Sequence, residues 1–200
     1  MNAMPAASLR VKQVESETRS VHDSTATQSE IVAALISGDE DVFESLVHRH
    51  QASVRRLALV LLGSEARAEE AAQDVFLKLW ATRERIDSSR LRSLRALLLT
   101  ITRNHCFSIL RRRKIARFVG LDSAPERAAP SRDLELSSVL RAAMNRLSEK
   151  QRSALALRYL EGLDYETIGQ IIGKKPQVAR SRVHYALKAI EPHLPSELKP

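Results

Sequence analysis

The sequence predicts an all-α protein made of two small helical domains joined by a flexible linker. Apolar residues recur at the three-to-four-residue spacing of amphipathic helices through most of residues 29–191. The first half of that span shows neither the alternation of apolar and polar residues that indicates a strand nor a hairpin turn. Between Gly120 and Asp133, two prolines, alanines and charged residues leave little to bury. This change in composition predicts a linker over residues 118–133.

The first domain is predicted to span residues 29–117 and to contain four helices. Ser29 is expected to cap a short first helix, which Gly38 ends. Asp39 starts a longer second helix, whose apolar stripe continues to Gly63.

Two further helices complete this domain. Ser64 opens the third, which has apolar residues on one side and charged residues such as Glu70 and Asp74 on the other. By itself, a charged side is the ordinary solvated face of an amphipathic helix. After a loop at residues 86–90, the fourth helix is expected to run from about Leu91 into the basic sequence RRRK.

The second domain is predicted over residues 134–191. Ser148 and Gln151 form a capping-box pattern ahead of an apolar helix that Gly162 ends. The rest of this domain is one further pair of helices.

That pair is predicted to be a helix-turn-helix between Asp164 and Lys188. Asp164 is a good N-cap for its first helix. Gly173 can adopt the left-handed conformation that ends this helix, and Pro176 suits the first position of the next one.

The second helix of the pair is predicted to place apolar residues inward and hydrogen-bond donors outward. Its outward face is nearly free of carboxylates, as a helix in the major groove of DNA requires. Arg can donate two hydrogen bonds to guanine and Gln can bind adenine, with discrimination of roughly 1–3 kcal/mol for a good bidentate pair. The alternative is an ordinary helical hairpin with a solvated basic face. The outward residues are Gln177, Arg180, Ser181, His184 and Lys188, with Arg182 and Tyr185 on the flanks.

The end of the fourth helix is a second basic feature. Cations there would bind phosphates without regard to sequence, with an affinity that falls as salt rises. The alternative is a solvated helix end whose cations complement the helix dipole. Two basic elements on either side of a linker favour binding to one long nucleic acid, because linked sites gain avidity. The residues concerned are Arg103, Arg111, Arg112, Arg113, Lys114 and Arg117, with Asn104 and His105 among them.

The composition agrees with a polyanionic partner. The chain of 200 residues carries a net charge of +8, has a pI near 10.1 and is 44% hydrophobic. An anionic membrane surface would also suit this charge, but no apolar run approaches the roughly 20 residues that span a bilayer. Without a signal peptide, the cytoplasm is the expected location. Residues 1–28 and 192–200 are predicted to be tails.

No catalytic or metal-binding pattern stands out, so neither an enzyme nor a cofactor is expected. The six histidines are scattered, and phosphate-binding loops, nucleophile elbows and zinc-protease patterns are missing from the sequence. Glu69 and Glu70 point apart on a helix, so they cannot act as an acid–base pair. The single cysteine, Cys106, is interpreted as a small buried apolar residue rather than a redox thiol.

These motifs together resemble the sigma-70 superfamily, in its extracytoplasmic-function (ECF) subfamily. Region two of that family is matched in order and spacing by DVFESLVHRH, LALVLLGSEARAEEAAQDVFLKLW and RALLLTITRNHCFSILRRRK. Region four is matched by LSEKQRSALALRYLEGLDYETIGQII and VARSRVHYALKAI. The resemblance covers most of residues 29–191.

The resemblance implies a bacterial transcription initiation factor that binds core RNA polymerase and directs it to promoters. It implies that region two binds the clamp helices of the largest polymerase subunit through the third helix, at Glu70, Gln73, Asp74 and Phe76. It also implies that region four binds the flap of the second-largest subunit. An anti-sigma partner is common in the family and is expected here as a hypothesis.

The resemblance also implies two DNA contacts. Region two would hold the unpaired strand of the minus-10 element with the loop at residues 86–93, Arg103 and Asn104, beside the cations Arg111, Arg112 and Arg113. Region four would bind the minus-35 element as a duplex through Arg180, Ser181, Arg182, His184 and Tyr185.

The sequence departs from the family pattern at several positions. Leu97 and Leu99 stand where the family has aromatic residues, which puts in doubt an aromatic role in strand opening there. Lys175 replaces the usual small N-cap of the recognition helix, so weaker capping is expected. Gln177 and Val178 replace a Gly-Thr pair, so the promoter sequence bound is expected to be unusual.

Two rival interpretations remain at this point. A stand-alone helix-turn-helix regulator would bind specific duplex DNA tightly without polymerase. A sigma mimic that only titrates an anti-sigma factor would not need the cations at Arg180 and Arg182.

Overall fold

The computed structural model of the protein is predominantly helical over the residues it describes, which are 27–89, 91, 93–119 and 138–194. These residues contain no strand, and 3₁₀ turns follow α3 (Arg83–Arg85) and α8 (Glu191–His193). The all-α prediction is therefore confirmed. The helices are α1 (Gln28–Ser37), α2 (Glu40–Leu62), α3 (Glu65–Ala81), α4 (Leu94–Phe118), α5 (Ser138–Asn145), α6 (Glu149–Tyr159), α7 (Tyr165–Ile172) and α8 (Pro176–Ile190).

Local capping residues set most helix ends. Asp39 Oδ1 accepts from Val42 N at 3.0 Å at the start of α2. Ser148 and Gln151 form the predicted capping box before α6. Gly38 and Gly63 adopt left-handed conformations, with φ of 87° and 71°, where α1 and α2 end.

Two predicted starts were misplaced by a few residues. The cap of α1 is Thr27 rather than Ser29, because Thr27 and Glu30 form a complete capping box two residues earlier. The fourth helix begins at Leu94 rather than near Leu91, because Ser93 accepts a hydrogen bond from Ala96 N and caps it.

The first helical unit, α1–α4, forms around α2, α3 and α4, which pack against one another, while α1 lies against α2. Its own core is formed by residues that recur on the inward side of each helix. These are Val32, Leu35, Leu46, Val54, Ala72, Val75, Phe76, Leu79, Leu94 and Leu98.

The second helical unit, α5–α8, packs α8 against both α6 and α7. A second core continues from this unit into the first one, because α6 lies against α2 and α7 lies against α4. Leu57, Leu61 and Leu99 of the first unit share this core with Leu157 and Ile168 of the second. The hydrophobic pattern predicted two units, but it did not predict that they pack together.

Several predictions concern parts of the chain beyond the described residues. The linker at 118–133 falls mostly there, as does the N-terminal tail at 1–28 and the end of the C-terminal tail at 192–200. Within the described part of the chain, no helix is both long enough and apolar enough to cross a membrane.

Candidate DNA and polymerase interfaces

The turn between α7 and α8 fixes how α8 is presented. Asp164 Oδ1 accepts from Thr167 N at 2.7 Å, and this hydrogen bond lowers the pKa of the Asp164 carboxyl. Gly173 ends α7 with φ of 63°. Gly169 has a different role, because a Cβ there would lie 2.8 Å from Lys174 O and 3.2 Å from Pro176 N. The close approach of the two helices therefore requires glycine at residue 169, a requirement that the sequence patterns did not reveal.

The start of α8 has the weak cap that the sequence predicted. Lys175 occupies the N-cap position without a side-chain hydrogen bond to the helix, and Pro176 is in the first turn. Because Pro lacks an N–H, one of the unsatisfied donors at this end is removed.

The outward face of α8 agrees with the predicted recognition face. Ala179, Val183 and Ala186 are buried, which turns the opposite side of α8 to solvent. The helix contains no Asp or Glu. The exposed residues are Gln177, Arg180, Ser181, His184, Tyr185 and Lys188, whereas Arg182 is half-buried.

The basic face of α4 is only partly available. Arg103 is 9% exposed, its guanidinium lies 4.3 Å from the centre of the Phe107 ring, and Nη1 donates to Asn104 Oδ1 at 3.1 Å. Burial, and then the positive charge of Arg182, lower the pKa of Arg103. Arg103 therefore lies at the junction of the two units rather than on a free surface. The other predicted contacts, Asn104, Arg111 and Arg112, are exposed, and Arg113 is half-buried.

A cavity of about 660 Å³ lies between α1 and the loop before α4. Val32 and Ile36 line its α1 side, and Ser88, Ser89 and Leu91 line its loop side. This loop is the segment predicted to hold unpaired DNA, although residues 90 and 92 are outside the described residues. The cavity combines apolar walls with hydroxyl groups, a suitable lining for a nucleobase.

The charged face of α3 is exposed. Glu70, Gln73 and Asp74 are exposed, and Asp74 Oδ2 lies 3.1 Å from His105 Nε2 of α4. Phe76, which the resemblance assigns to polymerase binding, is 7% exposed and belongs to the core. The apolar residue on the outer surface is instead Leu77, which is 66% exposed. Helical spacing could have found it, since residue 77 follows residue 73 by about one turn.

Within the described residues, no three His, Cys, Asp or Glu side chains are placed to hold a metal ion. The interpretation of Cys106 as a buried residue is confirmed, and burial raises the pKa of its thiol to about 12. The thiol is therefore protonated at neutral pH.

Comparison with known proteins identifies both units. The family model "Sigma-70 region 2" matches residues 46–115, and "Sigma-70, region 4" matches residues 137–190. Together these matches lie on α2–α4 and α5–α8.

Curated relatives match over most of the chain. The ECF RNA polymerase sigma factor SigE of Mycolicibacterium smegmatis is 30% identical over 182 residues, which is 87% of this chain and 66% of the relative. The ECF RNA polymerase sigma factor SigL of Mycobacterium tuberculosis is 29% identical over 167 residues, covering 80% of this chain and 92% of the relative. The RNA polymerase sigma factor CarQ of Myxococcus xanthus is 30% identical over 151 residues, covering 74% of this chain and 86% of the relative.

Solved structures have the same fold. The sigma factor RpoE of Bartonella quintana, in complex with the anti-sigma factor NepR, superimposes with a TM-score of 0.63 at 27% identity. That match covers 76% of this chain and 95% of the other. CnrH, in complex with the cytosolic domain of CnrY, gives a TM-score of 0.63 at 20% identity over 81% of this chain and 93% of its own.

Proposed function

The chain belongs to the extracytoplasmic-function subfamily of the sigma-70 superfamily, and on that premise we propose how it directs RNA polymerase to promoters. Region two, residues 29–117, binds the polymerase and the opened minus-10 element. Region four, residues 134–191, binds the minus-35 element as a duplex, and residues 118–133 link the two. The observation that carries this proposal is the exposed α8 face, rich in donors and without a carboxylate.

Duplex binding by region four follows from the chemistry of that face. Arg180 can donate two hydrogen bonds to a guanine edge, and Gln177 can pair with adenine, at roughly 1–3 kcal/mol of discrimination for each good pair. Lys188 and the flanking Arg182 supply charge to phosphates, which positions the helix without specifying a base. His184 and Tyr185 complete the surface in contact with the groove.

Strand capture by region two uses a different geometry. A single strand exposes the faces of its bases, so it can be held by pockets and a cationic groove. The cavity beside Ser88, Ser89 and Leu91 is the pocket in this proposal. Asn104, Arg111 and Arg112 provide a polar and cationic track further along α4, and the half-buried Arg113 adds positive charge there.

Polymerase binding by region two is assigned to the exposed face of α3. Glu70, Gln73 and Asp74 form an acidic and amide surface on a protein whose net charge is +8, so this face is electrostatically distinct. Leu77 adds an exposed apolar contact next to them. The partner surface is proposed to be the clamp helices of the largest subunit, and region four is proposed to bind the flap of the second-largest subunit.

The protein has no enzymatic activity of its own in this proposal and acts in the cytoplasm, where RNA polymerase works. Because one of the similar solved structures is a complex with an anti-sigma factor, we also propose such a partner for this chain. It would cover the same charged surfaces.

Transcription in vitro tests the function directly. Core polymerase with the purified chain is expected to start transcripts at discrete sites of a genomic template library, and core polymerase alone is not. The double variant R180A/R182A should lose most of this activity while remaining folded. Transcription that continues unchanged in the double variant would contradict the role of α8 and favour a sigma mimic.

A further inference from the structure

A buried carboxylate joins the two regions. Glu161 lies in the turn after α6 of region four, and its side chain is 1% exposed. Arg56 Nε donates to Oε1 at 2.8 Å, and Arg95 Nη2 donates to Oε2 at 2.7 Å. Ser53 Oγ donates to Oε2 at 2.8 Å. Since Ser53, Arg56 and Arg95 all belong to region two, this cluster exists only while the regions touch.

Two other contacts support the same arrangement. Arg95 Nη2 also donates to the backbone oxygen of Glu161 at 2.9 Å, which fixes the position of the turn itself. Arg152 of α6 reaches across the junction, with Nη1 3.4 Å from Leu61 O of α2. The shared apolar core lies beneath these polar contacts. The conformation seen here is therefore a closed one, held by both charge and apolar burial.

The closed conformation also has an unfavourable feature. Arg103 of region two and Arg182 of region four are near enough that the charge of Arg182 disfavours the charged form of Arg103. Arg103 Nε and Arg182 Nη1 are both buried without a hydrogen-bond partner among the described residues. Like charges and unsatisfied donors both oppose closure. The carboxylate at Glu161 therefore offsets repulsion between two cations, of which the proposed function assigns Arg182 to DNA and the family resemblance assigns Arg103 to the minus-10 strand.

We propose that Glu161 is a latch that holds the free protein closed, and that Arg103 and Arg182 become available to promoter DNA only when this latch opens. The second part rests on the proposed function. Promoter positions minus 35 and minus 10 are 25 base pairs apart, which is about 85 Å at the rise of about 3.4 Å per base pair of duplex DNA. Regions whose side chains are in direct contact cannot bind both elements at once. Glu70, Gln73 and Asp74 stay exposed in the closed form, so polymerase can bind it before it opens.

A substitution at Glu161 should act on the closed conformation alone. When the regions separate, Glu161, Arg56 and Arg95 are all hydrated, so neutralising the carboxylate costs little there. In the closed form the same change leaves two guanidinium groups facing each other without a counter-charge. The equilibrium therefore moves toward the open form.

Small-angle X-ray scattering of the full chain, without polymerase or DNA, tests the latch. E161Q is expected to have a larger radius of gyration than the wild type and a longer tail in its distance distribution. The matched control is E191Q, which removes one exposed carboxylate from the same region and should stay as compact as the wild type. Binding of free protein to a minus-35 duplex should strengthen by roughly 5-fold or more in E161Q only.

Compact scattering from a folded E161Q would overturn the proposal. If circular dichroism shows that E161Q does not fold, R56Q is used instead. Arg56 is partly exposed and supplies the region-two partner of the same ion pair. A compact, folded R56Q would then overturn the latch as well. Since scattering requires neither polymerase nor promoter, a failure of the latch is distinguishable from a failure of the sigma function, which transcription measures.

Discussion

Region two and region four expose their charged surfaces in different ways. Region two is a bundle in which one helix, α3, presents an acidic face and another, α4, presents a basic face partly covered by region four. Region four concentrates its basic face on α8, whose position depends on one short turn. A mutation in the short turn of region four should therefore disturb its DNA-binding surface directly. In region two, by contrast, one mutation can alter the exposed surface and a different mutation the buried core.

The largest expected effect separates surface from core within α3. F76A should lower the free energy of unfolding by about 3–5 kcal/mol, because it removes a large buried side chain. L77A should leave stability nearly unchanged and instead weaken binding to core polymerase. Urea denaturation and a polymerase-binding assay measure the two quantities. A stable F76A that fails to bind polymerase would restore Phe76 as a direct contact and contradict its role as a packing residue.

The next effect is in the turn of region four. G169A should destabilise this region by about 1–3 kcal/mol, because its Cβ would overlap the backbone at Lys174 and Pro176. Since α8 would shift, minus-35 binding should fall while polymerase binding by α3 persists. Q170A, at the exposed neighbour, is the control and should behave as wild type. Equal loss of both activities would mean that the two regions are not separable.

A third experiment compares the two basic helices. R180A should cost roughly 1–3 kcal/mol of affinity for the preferred duplex and less for other sequences, since a base contact carries discrimination. R111A/R112A should weaken single-strand binding for every sequence and reduce the salt dependence by a slope of about 1.4, at about 0.7 per phosphate. Salt titrations of both variants measure this. Sequence-independent loss in R180A would assign Arg180 to phosphate contact instead.

The smallest expected effect is on the pH dependence of folding stability, and it comes from His50, which lies next to the junction of the two regions. Burial, and then the charges of Arg49 and Arg95, lower the pKa of His50 below 6.5. The unfolded chain therefore binds more protons than the folded one as pH falls through 6.5, so stability is full above that pH and declines below it. H50Q should lose less stability than wild type between pH 7.5 and 5.5 in urea denaturation. Identical losses would exclude His50 as a source of the pH dependence.

The local signals in the sequence were sufficient for most of the secondary structure. Asp39, Ser148 and Asp164 cap helices within three residues of their own positions, so a short window of sequence contains the whole interaction. The stripe on α8 was predicted for the same reason. Thr27 was missed in favour of Ser29 because both residues offer a hydroxyl, and only the reach of Glu30 decides between them.

The sequence by itself therefore determined an all-α chain, its helices, the charge of each face and, through its motifs, its family. Tertiary structure decided which of those faces are free. Arg103 is buried rather than exposed, and Glu161 finds its partners 66 to 108 residues away. Helical periodicity specifies which side of a helix is apolar, but not which distant element covers it. Contacts between regions depend on how separate helices pack in space, and that information is not contained in any short stretch of sequence.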